Sequence, residues 1–297
     1  MPPPSCVLDV ASLNLSHATP RPLHEILTRP VCAHIPLETQ ARLVEAAMRA
    51  ELEPLSRFLL RVAALVAAWA ALELLARASL ARHPRLAAAH ATRVEVRQCV
   101  VSCAHSLWSL GATFVLLLQM EQPHGASDAL RHIPHRVINP IGSVFFAYLL
   151  WDLMHVFLNR RVHAKILKES VVHHLCFMGM MLANRTVLWF NYCFPVLYIA
   201  ELSTFFLSLR VCYKKLDIPE MWVSASFAVT FAVTRVLLMG LLVVHVFRSY
   251  PYIRSLLGLS MQLSYLVGLP AMYCLNLYWF SKVLQGMRKT LRKDKVT

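Results

Sequence analysis

Residues 221–247 read MWVSASFAVTFAVTRVLLMGLLVVHVF, and Arg235 is the only Asp, Glu, Lys or Arg in this run of 27 residues. A helix of about 20 apolar residues is long enough to cross the hydrocarbon core of a bilayer. The cores of soluble proteins are built from shorter, periodic apolar stripes. This stretch therefore predicts a membrane-spanning helix.

Six other apolar runs flank this stretch, and together they predict an all-α polytopic membrane protein with about seven transmembrane helices. The fourth run is short and includes His173, His174 and Asn184, so other helices must shield it from lipid. The predicted spans are residues 58–76, 99–118, 140–158, 170–184, 187–209, 221–247 and 256–281.

The composition of the chain supports the same class. Hydrophobic residues make up 57% of the 297 residues and charged residues 15%, whereas a soluble domain carries about 25% charged residues. The net charge of +14 comes from basic residues clustered between the apolar runs, which is how membrane proteins set their orientation. We therefore exclude nucleic acid as a partner. The eight cysteines include no Cys-x-x-Cys pair, which argues against a structural zinc or redox motif.

The distribution of Lys and Arg predicts the orientation of the chain. The segments after spans one, three, five and seven carry 18 basic residues, and the segments after spans two, four and six carry 5. Basic residues accumulate on the cytosolic side of membrane proteins. We expect a luminal N-terminus and a cytosolic C-terminus, with the sequon at Asn14 in the lumen.

Several polar residues lie inside the predicted spans, where a charged group costs about 2.5–3.5 kcal/mol. At 1.5 Å per residue, Asp152 lies about 12 Å from the basic edge at Arg160, and Glu201 about 13–14 Å from Arg210. These side chains are therefore candidates for a site in the cytosolic half of the membrane. The candidates are Asp152, His155, His173, His174, Glu201 and Arg235.

Their side chains suggest different roles. Arg235 is expected to neutralise Asp152 or Glu201, because an unpaired buried charge is very costly. The histidine pair suits proton transfer or nucleophilic chemistry near neutral pH. The alternative is that these groups only satisfy one another and lock the helices together.

A metal site is the other alternative for the histidines. A single zinc held by His155, His173 and Asp152 is geometrically conceivable. The sequence lacks the clustered histidine boxes of membrane di-iron oxygenases, however, and we assign no metal.

The order of these motifs resembles the TLC-domain (TRAM/LAG1/CLN8 homology) family, and the segment around Glu201 is similar to the branch that does not synthesise ceramide. The resemblance covers about residues 95–285. It is carried by Cys103-Ala104-His105-Ser106, Tyr148-Leu149-Leu150-Trp151-Asp152, Val172-His173-His174-Leu175, Ala200-Glu201-Leu202-Ser203-Thr204-Phe205-Phe206-Leu207-Ser208-Leu209, Thr234-Arg235-Val236-Leu237 and Leu275-Asn276-Leu277-Tyr278-Trp279-Phe280.

The resemblance implies a barrel of spans two to seven around a lipid or acyl chain, with span one packed outside, and residence in the endoplasmic reticulum or a related endomembrane. Ceramide synthases carry paired aspartates on the helix after the His pair, whereas this chain carries Glu201 there. Acylation of a sphingoid base is therefore in doubt.

The chain is accordingly divided into four regions. Residues 1–56 form a disordered or amphipathic N-terminal region, and residues 57–94 hold the first transmembrane helix and a basic loop. Residues 95–285 form the TLC domain, and residues 286–297 form a basic cytosolic tail.

Three functions are compatible with the sequence. The first is binding or sensing of acyl lipids for membrane lipid homeostasis, with His155, Glu201 and Arg235 as lipid-binding residues. The second is acyl-CoA-dependent acyl transfer, with His173, His174 and Asp152 as catalytic residues and acyl-CoA as co-substrate. The third is a cargo or trafficking factor that acts through the basic tail. No cofactor is expected, and membrane lipids are the expected partners.

Overall fold

The computed structural model describes residues 53–81, 90–120, 133–186, 193–254 and 259–293. All regular structure within these ranges is helical, which confirms the predicted all-α class. Backbone groups in lipid must find their hydrogen bonds within their own segment, and a helix does this. The N-terminal region up to residue 52 and the sequon at Asn14 lie outside the described residues.

The helices follow the predicted spans in order. In chain order they are α1 (Leu55–Leu80), α2 (His90–Leu118), α3 (His135–Leu158), α4 (Leu167–Thr186), α5 (Phe194–Ile199), α6 (Glu201–Lys215), α7 (Met221–Phe231), the π-helix π1 (Ala232–Leu238), α8 (Met239–Ile253), α9 (Leu259–Leu263), the π-helix π2 (Ser264–Gly268) and α10 (Leu269–Lys293).

Five helices within the described ranges are long and apolar enough to cross a membrane: α1, α2, α3, Phe194–Lys215 and Met221–Tyr250. Two of the seven predicted spans are not among them: the fourth, α4, in agreement with its polar sequence, and the last, formed by α9, π2 and α10. Helix α4 packs between α3 on one side and π2 and α10 on the other. This packing buries His174 and leaves the apolar side chains of Val172 and Leu175 exposed.

The six helical spans after α1 form a closed ring. Going round it, α2 packs on α3, α3 on α4, α4 on π2 and α10, α10 on π1, α7 and π1 on α6, and α6 on α2. The close approach of α8 to α10 depends on Gly240, where an added Cβ would lie 2.8 Å from the Tyr273 hydroxyl. This ring is the barrel that the resemblance implied.

Helix α1 lies outside the ring, against α2 and α3. The Phe58 and Phe146 rings meet at 5.7 Å, and the Trp69 and Tyr148 rings at 5.6 Å. Arg61 of α1 lies 3.5 Å from Ser143 of α3, and Glu73 of α1 lies 3.2 Å from His155 of α3. Because the order of these contacts is the same along both helices, α1 and α3 run parallel. The position of span one is thus as expected.

Side-chain contacts show that neighbours in the ring are antiparallel. For example, Gln98 and Ser102 of α2 bond Asp152 and Tyr148 of α3, in reversed order. The ends of the helices that carry Arg160, Arg210 and Lys282 therefore share one face of the bundle, which we call the basic face.

Candidate functional site

Asp152 and His174 form a buried pair between α3 and α4. The His174 Nε2 atom lies 2.9 Å from Asp152 Oδ2, and the amide of Gln98 on α2 donates to Asp152 Oδ1 at 2.8 Å. Both members of the pair are buried. The Asp152 carboxylate is thus held by three neighbouring helices.

The second nitrogen of His174 fixes the protonation of this pair. His174 Nδ1 lies 2.6 Å from the Ser170 carbonyl oxygen, which can only accept, so Nδ1 carries a proton. A further proton must then lie between Nε2 and the Asp152 carboxylate. Both nitrogens of His174 are therefore engaged, and neither offers a lone pair to a substrate.

His173 is in the opposite situation. Its Nδ1 atom is buried and has no hydrogen-bond partner. The ring packs against Phe177 at 5.0 Å, Trp279 at 5.2 Å and His174 at 5.4 Å. Of the two adjacent histidines, His173 carries the nitrogen that is free to act as a base or nucleophile.

A second charged pair lies between α6 and π1. Arg235 Nη2 is 3.3 Å from Glu201 Oε1, and both side chains are buried. The geometry resolves the alternative left open by the sequence, because Arg235 neutralises Glu201 and not Asp152.

The Arg235 guanidinium is surrounded by hydrogen-bond acceptors from two other helices. It donates to Ser203 Oγ at 2.7 Å, to Thr204 Oγ1 at 2.8 Å and to Asn276 Oδ1 at 3.4 Å. The wider turns of a π-helix place Arg235 here, and such turns are frequent at functional sites. We call Glu201, Ser203, Thr204, Arg235 and Asn276 the arginine centre.

His155 does not join these groups. Its Nδ1 atom lies 3.2 Å from Glu73 Oε1 on α1, so it faces the helix outside the ring. The zinc site considered for His155, His173 and Asp152 is not formed. The described residues contain no group of three or more His, Cys, Asp or Glu arranged to hold a metal ion.

The sequence of the helical bundle that holds these pairs matches a known protein family. The family model of the TLC domain (TRAM_LAG1_CLN8) matches residues 95–285. The chain belongs to the TLC domain family. No curated protein and no solved structure was found to match it significantly.

Several residues that bond to the site residues were not predicted from the sequence. Ser203, Thr204 and Asn276 lie in the motifs that carry the resemblance, and their polarity within apolar runs was the available signal. Gln98 lies just before predicted span two and gave no signal. Glu73 of predicted span one was not among the candidates, although it pairs with His155.

At the basic face of the bundle, Glu169 links α4 to α10. Its carboxylate accepts from Trp279 Nε1 at 2.8 Å and from Lys282 Nζ at 2.7 Å. The bond from Lys282 is the main cause that lowers the pKa of Glu169 below its ordinary value of 4.5. Since Trp279 also packs on His173, Glu169 helps to position that ring.

We predict a pH-dependent contribution from Glu169 to stability. A lowered pKa in the folded state means that the contribution is fully present above pH 4.5 and is lost as the pH falls through the lowered value. The difference in stability between wild type and Glu169→Gln should be constant from neutral pH down to this range and then disappear. Thermal unfolding in detergent across pH measures it.

Asp217→Asn, which removes an exposed carboxylate from the same face, is the matched control for this prediction. A difference between wild type and Glu169→Gln that grew as the pH fell would contradict it.

Proposed function

We propose that this TLC domain protein binds acyl lipids inside the helix ring and contributes in this way to membrane lipid homeostasis in the endoplasmic reticulum or a related endomembrane. The observation that carries the proposal is the arginine centre, a largely buried group of charged and polar side chains where α6, π1 and α10 meet. Polar groups inside a membrane protein are costly, and they usually mark a path or site for a substrate.

One atom of the arginine centre supports a ligand directly. The Asn276 side chain is completely buried, and its Nδ2 atom has no hydrogen-bond partner. A buried donor left unsatisfied costs about 1–3 kcal/mol. An acceptor oxygen on a bound lipid would remove this cost.

We expect Asn276→Leu to lower the amount of lipid that co-purifies with the protein. Leucine has a similar size and lacks the free donor, and the bond lost to Arg235 is long at 3.4 Å. Native mass spectrometry of detergent-purified protein gives the lipid-bound fraction, which should fall by about tenfold if one hydrogen bond of about 1.4 kcal/mol is lost.

The matched control for this test is Thr230→Val. Thr230 lies in the span that carries Arg235, and its hydroxyl bonds only to backbone carbonyls of its own helix, those of Ser226 and Phe227. Thr230→Val should retain lipid as wild type does. Equal retention by Asn276→Leu and wild type would contradict a lipid site at the arginine centre.

A second candidate function is acyl transfer from acyl-CoA, and the free nitrogen of His173 favours it. His173 would act as general base for the acceptor, or would attack the thioester and carry the acyl group as an acyl-imidazole while CoA leaves as the thiol. The Asp152–His174 pair lies beside it and holds a fixed proton. Release of CoA thiol from acyl-CoA, with His173→Ala beside wild type, tests this candidate.

The orientation that we propose supports either function. With the N-terminus in the lumen and the C-terminus in the cytosol, the basic face is cytosolic. The Asp152–His174 pair then lies in the half of the membrane that cytosolic acyl-CoA reaches. Attachment of a glycan at Asn14 in cells, and its loss in Asn14→Gln, would support this orientation.

A further inference from the structure

The charges buried in the ring cancel one another. Among the buried residues that the structure describes, the acidic side chains are Asp152 and Glu201, and the only Lys or Arg is Arg235. Arg235 balances Glu201 at 3.3 Å. The proton held between Asp152 and His174 balances the other carboxylate.

The polar atoms left over in the ring interior carry no fixed charge. They belong to amide, hydroxyl and imidazole groups, the imidazole atoms being Nδ1 of His105 and of His173, whose rings pack among aromatic side chains. The unpartnered buried atoms of the ring include Asn276 Nδ2, Ser106 Oγ and Tyr198 Oη, which belong to amide or hydroxyl groups. Each of these three residues is at most 1% exposed. Such groups can hydrogen-bond a carbonyl or hydroxyl, but they supply no charge.

A phosphate or carboxylate would lack a counter-ion in this interior. To pair with it, Arg235 would have to leave Glu201, and Glu201 would become an unpaired buried charge, which is strongly destabilising. At the basic face, which lies outside this interior, Lys282 and Arg210 are paired with Glu169 and Glu220. The interior therefore disfavours an anionic group.

We propose that the ring selects lipids whose polar part is uncharged, with ester or amide carbonyls and hydroxyl groups, over lipids with a phosphate or a free carboxylate. This inference rests on the proposed lipid-binding function and names the class of ligand. The Asn276 amide would donate to a carbonyl or hydroxyl oxygen of the lipid.

The inference is tested with two lipids that differ in the charged group alone. Dioleoylglycerol and dioleoylphosphatidic acid are added separately, and then in competition, to delipidated protein in neutral detergent. Native mass spectrometry measures the bound fraction of each. We expect wild type to prefer dioleoylglycerol by at least about tenfold, which corresponds to 1.4 kcal/mol.

A charge-changing variant gives a second, independent result. Glu201→Gln keeps the size of the side chain and an acceptor for Arg235, but it leaves the guanidinium without a counter-ion. The preference for dioleoylglycerol should shrink or reverse toward phosphatidic acid. Glu220→Gln, which removes a partly exposed carboxylate beside Arg210 at the basic face, is the matched control and should leave the preference unchanged.

The outcomes separate the two proposals. Equal or tighter binding of phosphatidic acid to wild type would overturn the selectivity and leave lipid binding intact. If neither lipid binds, the proposed function itself is wrong, and the selectivity with it. If Glu201→Gln does not fold, the competition on wild type alone decides the question.

Discussion

Replacing Arg235 by methionine is expected to destabilise the protein by about 3–5 kcal/mol, because the substitution leaves Glu201 as an unpaired buried charge. Methionine fills much of the space of the arginine side chain, so the loss of packing is small compared with the loss of charge balance. Three hydrogen bonds to Ser203, Thr204 and Asn276 disappear as well.

The double variant Arg235→Met with Glu201→Gln separates charge from packing. With no charge left, most of the lost stability should return, since a neutral buried pair often costs little. Arg248→Met, at an exposed position of the same span, should change stability by less than about 0.5 kcal/mol. Reversible unfolding in mixed detergent micelles, followed by circular dichroism, provides the free energies.

A double variant no more stable than Arg235→Met would contradict this account of the arginine centre. It would mean that the hydrogen bonds to Ser203, Thr204 and Asn276 dominate, and that the ion pair adds nothing.

The two adjacent histidines should respond in opposite ways to replacement by alanine. His174→Ala removes the partner of buried Asp152 and should cost about 3–5 kcal/mol of stability. His173→Ala removes ring contacts to Phe177 and Trp279 but leaves no charge unpaired, and we expect a loss of about 1–2 kcal/mol. Unfolding measurements of both variants under the same detergent conditions test the contrast.

The same pair of variants tests the acyl-transfer candidate. If the protein transfers acyl groups, His173→Ala should abolish the release of CoA thiol while the protein stays folded. Combining His174→Ala with Asp152→Asn removes the unpaired charge and should recover most of the stability. Turnover in His173→Ala at the rate of wild type would exclude His173 as the reactive group, and a stable His174→Ala would contradict the charged pair.

The sequence predicted the helices well because the bilayer imposes strong and simple requirements on a chain. Long apolar runs such as residues 221–247 must be helical, and the polar character of 170–184 indicated that other helices must shield its histidines. The ring itself came from the resemblance of motifs around Asp152 and Glu201, since apolar periodicity does not specify which helices are neighbours. Closeness to one branch of the family stays a prediction.

The sequence indicated which residues are candidates for the site, but it could not indicate how they pair. Counting residues from the basic edge placed Asp152 and Glu201 at similar depths, yet it could not show that they have different partners. Pairing depends on the rotation of each helix about its axis, and the π-helix around Arg235 changes that rotation locally. For the same reason, the sequence could not assign the free nitrogen to His173.

The order of helices in the ring has a consequence for biogenesis. Helix α10 leaves the ribosome after the other helices of the ring, and it occupies the position between α4 and π1. Until α10 is inserted, the ring is open between α4 and π1. The sides of His173 and Arg235 that α10 covers are then in contact with lipid or with the translocon. Chains that stop before residue 269 therefore never complete the enclosure, and they expose polar side chains such as Arg235 within the membrane, where they are costly.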